Sequence, residues 1–79
     1  LVMTPRIELV CGEAVLLDEI ADQRMTRDDV AMTYAMALRS SERVDWARVN
    51  HAILDRWSMN ALRYIKTKAW KLFEGGDGG

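Results

Sequence analysis

The chain has 79 residues, a formal net charge of −1, 49% hydrophobic residues and a single cysteine. That length holds one domain with a small core, so every large apolar side chain has to be used. Cys11 alone excludes an internal disulfide and offers no metal-ligand spacing, and no apolar run approaches the roughly 18 residues of a membrane span.

The small net charge conceals a split. Residues 1–38 carry three basic and seven acidic side chains, a charge of −4; residues 39–73 carry eight and three, a charge of +5; Glu74 and Asp77 add −2. The basic half can face phosphates, or it can face the acidic half. One proline, and glycines only at 12 and from 75 onward, favour helices over a turn-rich β fold.

Leu1 is not an initiator, so the chain reads as a fragment or a processed product, with Met3 a candidate start. Thr4-Pro5 has the form of an N-cap and a first-turn proline. Residues 6–11, RIELVC, open a helix or form a short strand, and Gly12 interrupts them. Residues 7–17 are broken by Glu8, Gly12 and Glu13, which makes a poor signal-peptide core. From Glu13 to Gln23 the pattern is helical, with Leu16, Leu17, Ile20 and Ala21 on one side and Asp18, Glu19 and Asp22 on the other.

After a break at 23–25, Thr26 and Asp29 form a capping box with aspartate in the glutamate position. The helix they open runs to about Arg39. Val30, Ala31, Tyr34, Ala37 and Leu38 form its core stripe, and Met32 and Met36 lie on the far side. A helix apolar on two sides lies between two partners. One is expected to be the following helix pair. The other is the Leu16/Ile20 helix or a second subunit, so Met32, Met36, Leu16 and Ile20 are the protein-interface candidates.

Residues 40–44 read as a polar loop. Asp45 then caps a helix with a Trp46, Val49, Ile53, Trp57 stripe, while Asn50, His51 and Asp55 lie off it. Only Arg56, Trp57 and Ser58 remain for the turn, which forces a sharp helix crossing. Ser58 caps a last helix whose core side is expected to hold Met59, Leu62, Ile65, Ala69, Leu72 and Phe73, with Trp70 at its edge. The opposite side collects Asn60, Arg63, Tyr64, Thr67, Lys68 and Lys71. No acidic residue occurs between Met59 and Phe73. Solvated helix faces usually mix signs, because like charges four apart repel. The acid-free face therefore reads as a nucleic-acid surface, or as a basic surface whose lysines complement the helix dipole. Residues 74–79, EGGDGG, read as a flexible tail.

Residues 26–70 resemble a Myb/SANT-type domain, a three-helix relative of the homeodomain. The residues that carry the likeness are Trp46 opening the second helix, Val49 three later, Ile53 seven later and Arg56 ten later at the turn, then Leu62 and Ile65 in the third helix. Asp55 stands where that family has glycine before the turn arginine. Ile65 replaces its third-helix tryptophan, and Tyr34 stands in the first helix. The resemblance implies a DNA-binding or protein-binding module.

Catalytic chemistry finds no constellation. His51 and Asp55, four apart, could orient each other, but no nucleophile is identifiable beside them. Asp28-Asp29 and Asp18-Glu19 point about 100° apart on their helices and form no paired site. No phosphate loop or nucleotide fingerprint occurs.

The sequence thus predicts an all-α protein. It has an acidic helical arm at 1–25, a three-helix helix-turn-helix core at 26–73 and a tail at 74–79. It is read as a small intracellular DNA-binding regulator of a transcriptional or mobile-element kind, located in cytoplasm, nucleoid or nucleus. Its expected partner is double-stranded DNA, with no cofactor, metal, membrane, small-molecule substrate or enzymatic activity. The alternative is a protein-interaction module or homodimer using the Met32/Met36 face.

Overall fold

A computed structural model describes residues 12–40 and 43–75. Among these residues there are four helices and no strand: α1 (Glu13–Ala21), α2 (Arg27–Arg39), α3 (Trp46–Arg56) and α4 (Met59–Gly75). Thr4-Pro5, the ambiguous segment 6–11 and the end of the tail, 76–79, lie outside the described residues. Glu74 and Gly75, assigned to the tail from sequence, continue α4. None of the described helices is long and apolar enough to cross a membrane.

Local chemistry sets the helix starts. Thr26 Oγ1 accepts the Asp29 N–H at 3.1 Å, and the Thr26 N–H donates to Asp29 Oδ2 at 3.0 Å, so the capping box is closed. The backbone N–H of Thr26, then its hydroxyl, hold the Asp29 carboxyl below its ordinary range. Asp45 Oδ1 accepts the Arg48 N–H at 3.2 Å at the start of α3. Ser58 Oγ makes a longer contact, 3.4 Å, with the Ala61 N–H of α4. α1 begins at Gly12 with no side-chain cap.

Every helix contributes to one core. Leu16, Val30, Val49, Ile53 and Ile65 are fully buried, and Ile20, Ala31, Tyr34, Ala35, Ala37, Leu62 and Ala69 surround them. Burying each such aliphatic side chain is worth roughly 1.5–3 kcal/mol. α1 is therefore a wall of the core rather than an arm laid against it: removing it would strip Leu16 and Ile20 from contact with α2 and α3. Leu16 and Ile20 were expected to offer an interaction surface, and they are the two buried residues of α1 instead. Trp46, Trp57 and Leu38 pack on the core but are only half-buried. Ala21, expected inside, is exposed.

The most extensive helix pairing is α2 with α4, followed by α1 with α3 and α1 with α2. Alanines 31, 35 and 37 of α2 and 61 and 69 of α4 are buried; small side chains let helices approach closely. Asp28 near the start of α2 meets Tyr64, while Arg39 at its end donates to Leu72 O at 3.1 Å and Phe73 O at 3.4 Å, so α2 and α4 run the same way. α1 and α3 also run together. Glu13 accepts the Asp45 N–H at 3.1 Å and pairs with Arg48 at 3.5 Å, and the far ends meet at Arg56. Polar ties bind the pairs to each other. Thr33 Oγ1 donates to Glu19 Oε1 at 2.6 Å, and the Tyr34 hydroxyl donates to Asn50 Oδ1 at 2.8 Å. The Tyr34 ring lies 4.7 Å from that of Trp46. Burial raises the Tyr34 pKa and the Asn50 bond opposes the rise.

Arg56 closes the assembly. Its Nη1 donates to Ile20 O at 3.1 Å and Asp22 O at 3.0 Å, and its Nη2 donates to Gln23 O at 3.2 Å and Met25 O at 2.8 Å. Helices end with carbonyls that lack intrahelical partners, and here the guanidinium serves the end of α1 and the loop after it together. Its carbon also sits 4.1 Å from the Trp57 ring centroid. Beside it Asp22 is clamped by Arg24, whose Nε donates to Oδ1 at 3.1 Å and Nη2 to Oδ2 at 3.0 Å. The Arg24 side-chain bonds, then its backbone N–H, hold the Asp22 carboxyl down from 3.8 to about 2.

Ile53→Ala should lower unfolding free energy by about 2–4 kcal/mol, read from urea melts. Arg56→Ala should cost about 2–3 kcal/mol, and Arg56→Lys should recover only part of that, because an ammonium lacks the planar fork that reaches four carbonyls. Because its folded pKa is depressed, the Asp22 clamp stabilises fully above pH 3.8 and fades as pH falls through about 2, a midpoint that carboxyl NMR should report.

Candidate nucleic-acid interface

α4 is a 17-residue helix, and its inward side is set by Ala61, Leu62, Ile65 and Ala69, all buried. With about 100° between successive residues, the side diametrically opposite carries Asn60, Arg63, Thr67 and Lys71, and each is exposed. Arg63 to Lys71 spans about 12 Å along the axis. Among the described residues no acidic side chain pairs with Arg63, Lys66 or Lys71.

The acids elsewhere are largely engaged by their own neighbourhoods. Glu13 holds Arg48, Glu19 takes the Thr33 hydroxyl, Asp22 holds Arg24 and Asp29 caps α2. α1 packs on α2 and α3, with Glu13 and Glu19 bonded to them, and leaves the outer side of α4 uncovered. The sequence-level alternative, in which the acidic half neutralises the basic half, is met at one place only among the described residues of α4. The Tyr64 hydroxyl donates a short hydrogen bond to Asp28 Oδ1, and Lys68 Nζ lies 3.8 Å from the same oxygen. The Arg27 guanidinium lies over the Tyr64 ring at 5.5 Å. The Asp28 hydrogen bond, followed by burial and by the Asp28 charge, raises the Tyr64 pKa above 10.0, and the Arg27 charge partly opposes the rise.

Three residues on this surface escaped the sequence reading. Met59 is expected on the core side and Trp70 at its edge, yet they are 55% and 43% exposed. Lys66 had no role, yet it lines an open groove of about 540 Å³ with Met59, Leu62, Arg63, Thr67, Trp70 and Lys71, and with Glu74 at its C-terminal end. Spacing could have found it, since Lys66 stands three residues after Arg63 and four before Trp70. Met59 and Trp70 are apolar, but at about 100° per residue both fall well outside the arc of Ala61, Ile65 and Ala69 that faces the core. Trp70 packs edge-on to Phe73 at 5.2 Å.

Met32 and Met36 are 54% and 55% exposed and line a shallow depression of about 200 Å³ with Ala35, Arg39 and Leu72. Leu16 and Ile20 take no part in that surface. His51 Nε2 and Asp55 Oδ2 stand 3.9 Å apart, both exposed. No group of three or more metal-capable side chains occurs among the described residues. Comparison with protein-family models, with curated proteins and with solved structures finds no match to this chain.

Asp28→Asn should return the Tyr64 titration toward 10 while leaving Tyr34 raised, because only Tyr64 owes its shift to that carboxylate. The two tyrosine rings, followed by NMR against pH, report this separately.

Proposed function

We propose that this protein is a small DNA-binding regulator that lays the outer side of α4 on duplex DNA. The observation that carries this reading is the set of exposed cations Arg63, Lys66 and Lys71, with no acidic partner among the described residues, on a helix with no acidic residue from Met59 to Phe73. Three features add support. The two-residue connection Trp57-Ser58 sets α4 off sharply from α3, as in a helix-turn-helix, and agrees with the Myb/SANT resemblance. The roughly 12 Å from Arg63 to Lys71 matches the width of the major groove, so cations at both ends can reach phosphates on its two walls. Asn60, near the helix start on the same side, is suited to an adenine edge, and Arg63 to a guanine edge. Lysine contacts to phosphate would position the protein without reading sequence.

The rival reading is a protein-interaction module or homodimer. Its support is the exposed Met32 and Met36 beside Leu72, adaptable side chains of the kind found at such surfaces.

Binding to mixed duplex DNA across a salt series separates the two. Affinity should fall with a log–log slope near −0.9 per phosphate contact. Lys71→Ala or Lys66→Ala should make the slope shallower by about one unit and weaken all sequences alike. Asn60→Ala should reduce discrimination between sites by about 1–3 kcal/mol with the slope nearly unchanged. No binding at low salt by the folded protein would overturn the DNA reading and leave the Met32/Met36 surface as the functional one.

A further inference from the structure

On the flank of α4 nearest α2, Tyr64, Thr67, Lys68 and Lys71 line a separate recess of about 170 Å³. The four side chains that border it carry two ammonium groups and two hydroxyls. This donor set suits a phosphate, which takes charge-assisted hydrogen bonds on each free oxygen. Two of the four donors are already engaged, and by one atom. Asp28 Oδ1 accepts the Tyr64 hydroxyl and lies 3.8 Å from Lys68 Nζ. The carboxylate is a poor permanent tenant. Its side chain is 58% exposed and that of Lys68 is 40% exposed, and exposed pairs of this kind hold by only about 0.2–1 kcal/mol. Asp28 also projects from the first turn of α2, where a carboxylate is favoured by the helix dipole whether or not it reaches α4.

We infer that the recess between Tyr64, Thr67, Lys68 and Lys71 is a seat for one backbone phosphate of the nucleic acid, and that Asp28 occupies its donors until that phosphate displaces it. The inference rests on the DNA reading of α4. It makes the face two-part: Arg63, Lys66 and Lys71 are open to the first encounter, and Lys68 with Tyr64 engages only when a phosphate competes successfully with Asp28. The device costs affinity and favours ligands that bring a phosphate to this position.

The test measures duplex affinity and its salt dependence for the wild type, Asp28→Asn, Lys68→Gln and the double variant. Asp18→Asn serves as the control, since Asp18 is exposed on α1 and removes the same charge away from α4. Asp28→Asn should tighten binding about two- to fivefold beyond the control and steepen the salt slope by about one unit. That gain should vanish in the Lys68→Gln background. Asp28→Ser, which keeps a residue suited to a helix start, replaces the asparagine if that variant does not fold. If the wild type binds duplex but neither Asp28 variant exceeds the control, the phosphate seat is overturned and the α4 reading stands. If neither wild type nor Asp28 variants bind duplex at low salt while folded, both fall. Inorganic phosphate provides the other arm. If it shifts the Tyr64 and Lys68 NMR signals of Asp28→Asn at millimolar levels and duplex does not displace it, the recess serves a free anion and the inference is wrong.

Discussion

A single guanidinium ties the end of α3 to the end of α1 and to the loop that follows it. Arg56 ends α3, and its four hydrogen bonds reach the end of α1 and the loop that leads into the Thr26 cap of α2. One residue later Trp57 begins the turn into α4. The position of α4 relative to α2 is set by the packing they share and by the Arg39 and Tyr64 hydrogen bonds between them, and Arg56 adds the tie from the end of α3 to the end of α1. A lysine could not do the same, because four acceptors spread over a loop need a planar fork with donors on two nitrogens. The core of a chain this short is limited, and directional bonds at the helix ends add to what its buried side chains contribute.

Charge is distributed by the same economy. The N-terminal half is acidic, but Glu13, Glu19, Asp22 and Asp29 each have a structural partner within reach. Among the described residues their engagement leaves the cations of α4 without acidic partners, apart from Lys68. A net charge near zero is therefore consistent with a face of one sign, because exposure and pairing, rather than totals, decide the field a ligand meets.

The two tyrosines show how one residue type is set to two uses. Tyr34 is buried against Trp46 and satisfied by Asn50, a residue the sequence pattern placed off the core stripe. Tyr64 is exposed and tied to Asp28 from a helix 36 residues away in sequence. Neither partner can be read from helical spacing, because each bond joins two helices whose relative rotation is a property of the whole packing.

The sequence by itself determined the all-helical class, the capping box at Thr26, the cap at Asp45, the short α3–α4 turn and the buried members Val30, Tyr34, Val49, Ile53, Leu62 and Ile65. These are local: a cap needs residues three apart, and a stripe needs only the helical period. Tertiary structure alone decided that α1 is a core wall and that Leu16 and Ile20 lie inside. It also decided that Met59 and Trp70 face outward. Periodicity shows that a helix has an apolar side, but the partner that covers it is chosen by the other helices. On a helix with apolar residues around much of its circumference, only the neighbour's position tells which of them are covered. Arg56 was legible only by its place next to the turn, whereas its four carbonyl partners came from the end of α1 and the loop that the fold carries to it.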